Sequence, residues 1–304
     1  MANNIKRIYI GAICNRDLEV LEKLKKFLLK NYNIFIVDLL KKGSNSFDIK
    51  YLLKQIKKYP LSFLIVKLTT TSSNTAIYET IKEYIPNVPI LNSLSSVKIC
   101  ESRKETFKLI SHKCKNVKIP APYFSLEEAI RACKTGNRVI IKLDSHNIPD
   151  FPKNDRIVGI AHNVNDLYEL IKNYDKKSLF FQEYLGEFDI IYKVYVIGRW
   201  MVSITSHNRL QDIENLTPLE LIHIRVPIEK QFKSRIKRLG RKFGMSIFGL
   251  DYILTNEGPY IIDINDFPSF RSIPEAISLI SDYIYNLISL REQYIQILAK
   301  VKAK

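Results

Sequence analysis

The sequence lacks most of the features that assign a function at sight. Its four cysteines, Cys14, Cys100, Cys114 and Cys133, form no CxxC pair and have no histidine at metal-ligand spacing. That excludes a zinc ribbon and a disulfide framework, and predicts reduced, buried thiols in a cytoplasmic protein. No run approaches the roughly 18–20 apolar residues of a membrane helix, so no membrane span is expected. Met1 to Arg7 leads directly into an expected strand, without an apolar signal core or cleavage site. There is no GxxxxGK[ST], no HRD and no DFG, which excludes a P-loop protein and a protein kinase. No internal repeat or low-complexity linker is found. Acidic residues are the scarce charge: 31 Asp+Glu stand against 47 Lys+Arg, a formal net charge of +16. Such a field attracts polyanions, whether nucleic acid, anionic membrane or phosphorylated small molecule, and charge alone does not choose among them.

What is present describes an ordered globular chain. An apolar content of 46% with 26% charged residues carries no sign of disorder, and 304 residues suggest two or three structural units. Strands are expected at Arg7–Cys14, Asn33–Leu39 and Leu61–Val66, with helices at Asp17–Lys30 and Ile49–Lys58 between them. That β-α-β-α-β order predicts a small parallel sheet. The first helix would bury Leu18, Leu21, Leu24, Leu28 and Leu29 on one face. A single helix is expected over Val97–Ser111, and another from Ser125, where Glu128 completes a capping box. The rest reads as two α+β units of helices on antiparallel strands.

The most informative stretch is Phe248–Leu254, followed by Tyr260–Pro268. Asp251 and Asp263 stand inside apolar strand-like runs, where an ionised carboxylate is expensive to bury without a partner. Asp263 and Asn265 are two apart and share a strand face. The turn Thr255–Pro259 would bring Asp251 opposite them. Oxygen donors of this kind suit Mg²⁺. Two lysines also lie within apolar strands, Lys142 after Val139-Ile140-Ile141 and Lys193 within Ile190–Val196. An exposed strand face is the plainer reading for Lys142 alone. Strand lysines together with a carboxylate metal site are the parts that phosphoryl transfer uses.

With these parts in order, the chain resembles the ATP-grasp superfamily, and within it the inositol trisphosphate 5/6-kinase family. Tyr192-Lys193-Val194-Tyr195-Val196-Ile197-Gly198 is similar to that family's YKV[FY]V[VI]G strand. Asp263-Ile264-Asn265-Asp266-Phe267-Pro268 is similar to its DINxFPG segment, and Ile65–Thr69 to its HKLTD segment. The resemblance implies an α/β protein with α+β subdomains, an ATP-grasp fold preceded by a Rossmann-like unit. Its divisions would be 1–93, 94–184 and 185–304. It implies ATP and Mg²⁺ as cofactors and an inositol phosphate as polyanionic substrate. No nucleic acid or membrane would be required, and the protein would act as a monomer.

The resemblance also implies roles. Asp251, Asp263 and Asn265 would hold Mg²⁺. Arg103 and Lys142 would contact ATP phosphates, and the hinge Gln182, Glu183, Tyr184 and Leu185 would hold adenine. Lys193 would lie between nucleotide and acceptor, and Asp263 would orient the acceptor hydroxyl. Lys67 and Asn265 would meet the acceptor. Arg156 stands where the family has a histidine, with His146 the other candidate for that place. Ser269 replaces a substrate-side glycine, Arg271 follows it, and Asn208 with Arg209 replaces an RPS segment. Asp144–Pro149 stands where a glycine-rich loop is usual. The function implied is phosphoryl transfer from ATP to an inositol phosphate hydroxyl. A carboxylate–amine ligase of the glutamate-ligase type, working through an acyl phosphate, is the alternative on the same nucleotide site. A non-catalytic polyanion binder is the third reading.

Overall fold

A computed structural model describes residues 7–41, 47–71, 74–148, 156–207 and 222–302. The chain divides into two compact units, Met1–Leu94 with Ile197–Arg199 and Ser269–Lys304, and Ser95–Val196 with Trp200–Pro268.

In the first unit, β1 (Ile8–Cys14), β2 (Ile34–Asp38), β3 (Leu61–Lys67) and β4 (Ile90–Leu91) form the expected parallel sheet, in the order β2-β1-β3-β4. The last five residues of β1 and of β3 are buried, as strands covered on both faces require. Helices α1 (Leu18–Tyr32), α2 (Ile49–Lys58) and α3 (Asn74–Tyr84) connect them. On α1 the buried stripe is Val20, Leu21, Leu24 and Leu28. Leu18 and Leu29, expected in that stripe, are 49% and 46% exposed. At 3.6 residues per turn they fall roughly 60–80° beyond Leu21, on the solvent side.

The last helix, α9 (Ala276–Lys302), belongs to this unit. The Tyr32 ring stacks on Tyr285 at 4.4 Å, and the Tyr32 hydroxyl donates to the Asp282 carboxylate. The division expected from sequence kept residues 185–304 together. The structure groups the end of the chain with the start because α9 covers α1.

The second unit opens with α4 (Leu94–Ile99) and α5 (Arg103–Lys113) where one helix was expected. The break has a local cause. Ser102 takes an extended conformation and its Oγ accepts from the Glu105 N–H at 3.2 Å, starting a new helix. Asp144 reinforces the start, accepting from the Lys104 N–H and from the Ser102 hydroxyl, both at 2.7 Å.

Two sheets follow. β5 (Pro122–Tyr123), β6 (Val139–Leu143), β7 (Ile157–Ala161) and β8 (Leu179–Glu183) form an antiparallel sheet in the order β5-β8-β6-β7. Helices α6 (Leu126–Lys134) and α7 (Val164–Ile171) pack on it through Ala129, Leu167 and Ile171. α6 starts as expected: Ser125 Oγ accepts from the Glu128 N–H at 3.2 Å, and the Glu128 carboxylate accepts from the Phe124 N–H at 2.8 Å. The second sheet contains β9 (Ile190–Ile197), β10 (Trp200–His207), β11 (Arg225–Val226), β12 (Ile247–Thr255) and β13 (Gly258–Asp266), in the order β11-β10-β9-β12-β13. α5 and α8 (Lys230–Phe243) share a core with one face of it, in which Phe107, Ile236 and Leu239 meet Val194, Phe248 and Leu250. Strand alternation therefore sends Lys193 and Asp251 to the other face.

Candidate functional site

The site is built on the β12–β13 hairpin. Its register sets Asp251 opposite Asp263 and Gly249 opposite Asn265, with a bulge immediately after Asp251. Two like charges directly opposite destabilise a sheet, so each needs a cation. Lys193 Nζ lies 3.9 Å from Asp251 Oδ2, and Arg103 Nη2 lies 3.4 Å from Asp263 Oδ2. His146 Nε2 stands 3.4 Å from Asp263 Oδ1. Gly249 makes room for the end of the hairpin: a Cβ there would meet the Pro268 ring at 3.0 Å.

Lys142 connects the two sheets. Its buried side chain leaves β6 and donates to Gln182 Oε1 at 3.0 Å and to the Ile262 carbonyl of β13 at 3.2 Å. Burial pulls its pKa down to about 8, against the pull of the nearby Asp263 carboxylate. Burial would raise Asp263, but its neighbours hold it down to about 2, His146 where it is itself protonated and Arg103 and Lys142 by charge at neutral pH as well, so it is an anion at neutral pH. His146 is fully enclosed, and burial drives its pKa down to about 3 despite Asp263. It therefore stands neutral beside the carboxylate.

An apolar cleft adjoins this cluster, enclosing about 410 Å³ with its open mouth. Ile140, Leu185, Phe188, Ile191, Ile253 and Ile262 line it, and Lys142 and Gln182 to Tyr184 supply its polar side. The hinge backbone is partly committed to the sheet. Glu183 N–H donates to the Ala121 carbonyl at 2.8 Å and Tyr184 N–H to the Arg138 carbonyl at 2.9 Å. The Glu183 carboxylate accepts from the Ala121 N–H at 3.0 Å. Leu185, the next residue, has a backbone N–H without a partner among the described residues. The Gln182 side chain braces Lys142 and its amide nitrogen donates to the Pro120 carbonyl at 3.5 Å.

The structure thus brings together Arg103, Lys142, Lys193, Asp251, Asp263 and Asn265, with the hinge alongside. Arg103 is buried, and besides Asp263 its guanidinium donates to the Leu143 carbonyl and, at 3.3 Å, to the Ser145 carbonyl. It anchors the end of β6 as well as the carboxylate. Arg156 donates to the His146 carbonyl at 2.5 Å. Asn208 and Arg209 lie outside the described residues. Lys67, Ser269 and Arg271 belong to the first unit. There Asp17 joins two of them, 3.2 Å from the buried Lys67 Nζ and 3.2 Å from Arg271 Nη2, and Glu19 takes the same Arg271 nitrogen at 2.6 Å.

Sequence reasoning gave Asp17 no role, and nothing in its spacing from Lys67 signals the pairing. The cleft wall was more accessible. Ile140, Ile191 and Ile253 each stand two residues from Lys142, Lys193 and Asp251, so strand alternation alone puts them on the same faces.

Among the described residues, no three or more His, Cys, Asp or Glu side chains gather to hold a metal ion. The donor set nevertheless fits Mg²⁺. Two carboxylates and an amide oxygen form a partial shell, and this ion ordinarily completes its shell with phosphate oxygens and water. Of the described helices, none is long and apolar enough to cross a membrane, and the four cysteines are free and buried, as expected.

Comparison with known proteins bears on the fold and on the family the sequence stands near. Residues 217–286 match the family model of the inositol 1,3,4-trisphosphate 5/6-kinase ATP-grasp domain. Inositol-tetrakisphosphate 1-kinase of Xenopus laevis is 23% identical over 281 residues, covering 77% of this chain and 69% of that protein. The Danio rerio enzyme of the same name is 22% identical over 317 residues, covering 88% and 77%. Among solved structures, D-alanine–D-alanine ligase from Bacillus anthracis complexed with ATP superposes with a TM-score of 0.64 at 13% identity, over 95% of this chain and 99% of that one. A RiPP-associated ATP-grasp ligase from Chryseobacterium gregarium, in complex with ADP and leader and core peptides, gives 0.63 at 17% identity, over 94% and 97%. The chain is a mixed α/β protein with the ATP-grasp fold. Within that fold its sequence stands near the inositol phosphate kinases.

Proposed function

We propose that the protein is an ATP- and Mg²⁺-dependent kinase that transfers the γ-phosphoryl group to a hydroxyl of an inositol phosphate. The observation that carries the reading is the cation-matched carboxylate pair, Asp251 with Lys193 and Asp263 with Arg103, next to an apolar cleft with a hinge. The similarity of residues 217–286 to the inositol 1,3,4-trisphosphate 5/6-kinase model supports an inositol phosphate acceptor over an amino acid.

In this reading the strands before and after residue 184 form the two walls of the nucleotide cleft. Adenine lies against Ile140, Ile191 and Ile253 and takes the Leu185 N–H. Lys142, braced by Gln182, neutralises phosphate oxygens. Asp251, Asp263 and Asn265 hold Mg²⁺, which when bound shields phosphate charge and stabilises the transferred group. Lys193, on the same sheet face as Asp251, turns from that carboxylate to the phosphates. Arg103 and the neutral His146 fix Asp263 in place. The acceptor hydroxyl oxygen attacks the γ-phosphorus in line, the bond to the β–γ bridging oxygen breaks, ADP leaves, and the hydroxyl proton is released to solvent. Asp263 orients that hydroxyl. Arg156 is assigned to the acceptor phosphates. Catalysis is positioning plus charge neutralisation.

The test is turnover of γ-³²P-labelled ATP with a panel of inositol phosphates and, separately, amino-acid pairs. Label is expected in a more highly phosphorylated inositol. Release of free phosphate only with a carboxylate and an amine present would replace the kinase with a ligase.

A further inference from the structure

Helix α8 carries an arrangement that the proposed reaction does not use. Its sequence, KQFKSRIKRLGRKF, has seven lysines and arginines and no acidic residue. Lys233 and Lys237, Lys237 and Arg241, and Arg238 and Lys242 are like-charge neighbours one turn apart, a spacing that costs helix stability. Lys230 and Lys233 also occupy the first turn, where the helix dipole disfavours cations. A merely solvated face usually intersperses acids, which relieve both penalties. The apolar side of α8, with Phe232, Ile236, Leu239 and Phe243, is buried in the core. The cations are thereby held outward.

Beside this stripe lies a groove of about 950 Å³ with its open mouth, between the C-terminal ends of α5 and α8. Cys114 and Leu239 are its buried floor, and Lys113, Arg238, Arg241 and Lys242 are its exposed rim. None of these four cations has an ion pair among the described residues. The two helix C-termini each bring about half a negative charge to the groove. Four full positive charges outweigh them, leaving a net of roughly +3 by that reckoning. The groove lies on the helix-covered side of the second sheet, whereas Asp251 and Lys193 project from the opposite side.

We propose that this groove is a binding site for a compact, multiply phosphorylated anion, separate from the carboxylate cleft. The shape selects the class. Cations converge from two helices on a concavity, which suits clustered phosphates. No aromatic side chain stands on its rim to stack a base, as single-stranded nucleic acid sites require. The exposed side of α8 has no large apolar residue to insert into a bilayer. A soluble polyphosphate and the headgroup of a polyphosphorylated lipid share this chemistry.

The probe is inorganic tripolyphosphate, titrated calorimetrically into the full-length protein with the nucleotide cleft saturated by a non-hydrolysable ATP analogue. Arg238→Gln/Arg241→Gln is expected to weaken tripolyphosphate at least tenfold and to leave ATP affinity within twofold. Lys142→Met is expected to do the reverse. Flotation with phosphatidylcholine vesicles containing 5% phosphatidylinositol 4,5-bisphosphate separates the sources. Capture that the double substitution abolishes and tripolyphosphate displaces assigns a lipid headgroup; absence of capture assigns a soluble anion. Unchanged tripolyphosphate affinity in Arg238→Gln/Arg241→Gln overturns the proposal. So does a twenty-nucleotide poly(U) RNA that binds wild type more than tenfold tighter than tripolyphosphate and loses that affinity in the same variant. Circular dichroism of the variant, expected to match wild type, and thermal melting, expected at or slightly above wild type because two like-charge pairs are removed, exclude misfolding as the cause.

Discussion

Lys142 carries a burial penalty that can be measured without knowing the substrate. Its pKa falls from the usual 10.5 to about 8 because the folded protein desolvates its ammonium. The sign follows from linkage. Between pH 8 and 10.5 the unfolded chain keeps this proton and the folded protein has lost it, so stability rises with pH across that window. The slope is about 1.4 kcal/mol per pH unit, and the full difference is about 3 kcal/mol. Urea unfolding of wild type and Lys142→Met, measured from pH 7 to 9.5, isolates the term. The difference between them is expected to be flat below pH 8. Above it, wild type is expected to gain about 2 kcal/mol relative to the variant by pH 9.5. Nucleotide phosphate beside the ammonium reverses the shift. At pH 9 ATP binding should therefore draw up to about 0.9 proton into wild type and none into Lys142→Met, read by calorimetry in buffers of different ionisation enthalpy. Parallel stability curves, with no difference in proton uptake, would refute both the burial and the phosphate-facing assignment of Lys142.

Other expectations follow from the same geometry. Asp263→Asn should abolish ATP turnover while leaving the fold intact by circular dichroism. Because Asp263 is held down to about 2, its stabilising contribution is present above the unfolded value of 3.8 and is lost as pH falls through 2. The variant should accordingly show a shallower acid limb than wild type. Gly198 sits at φ +56, and a Cβ there would meet the Tyr283 ring at 2.5 Å. Gly198→Ala should lower stability by about 1–3 kcal/mol, seen as a lower urea midpoint with unchanged slope. Burial pushes the Cys14 thiol up to about 12, and all four cysteines are buried. An aromatic disulfide reagent at pH 8 should label no thiol rapidly in the folded protein and four in urea.

Much of this was legible before any coordinates. Strand alternation placed Asp263 and Asn265 on one face, and a short turn set Asp251 opposite them, because side-chain direction in a hairpin depends only on local register. The apolar runs of β1 and β3 announced a covered parallel sheet for the same local reason. Helix ends were legible only where the capping groups were adjacent in sequence. Ser125 with Glu128 is such a case. Ser102 with Glu105 has the same spacing and was the missed case; only its reinforcement by Asp144, more than forty positions away, lay beyond the sequence.

By itself, then, the sequence determined the carboxylate hairpin, the lysines inside apolar strands and the likeness to a family, all of which rest on residue type and near-neighbour spacing. Tertiary structure alone decided which charges meet. Arg103 reaches Asp263 across 160 residues, Lys142 reaches the Ile262 carbonyl across 120, and Lys67 at the end of β3 meets Asp17 just beyond the neighbouring β1. Long-range packing brings these groups to within hydrogen-bonding or ion-pair distance, and no periodicity encodes it. The same packing buries the apolar side of α8 and leaves its cations outward, so a basic helix that composition could not interpret becomes one wall of a groove.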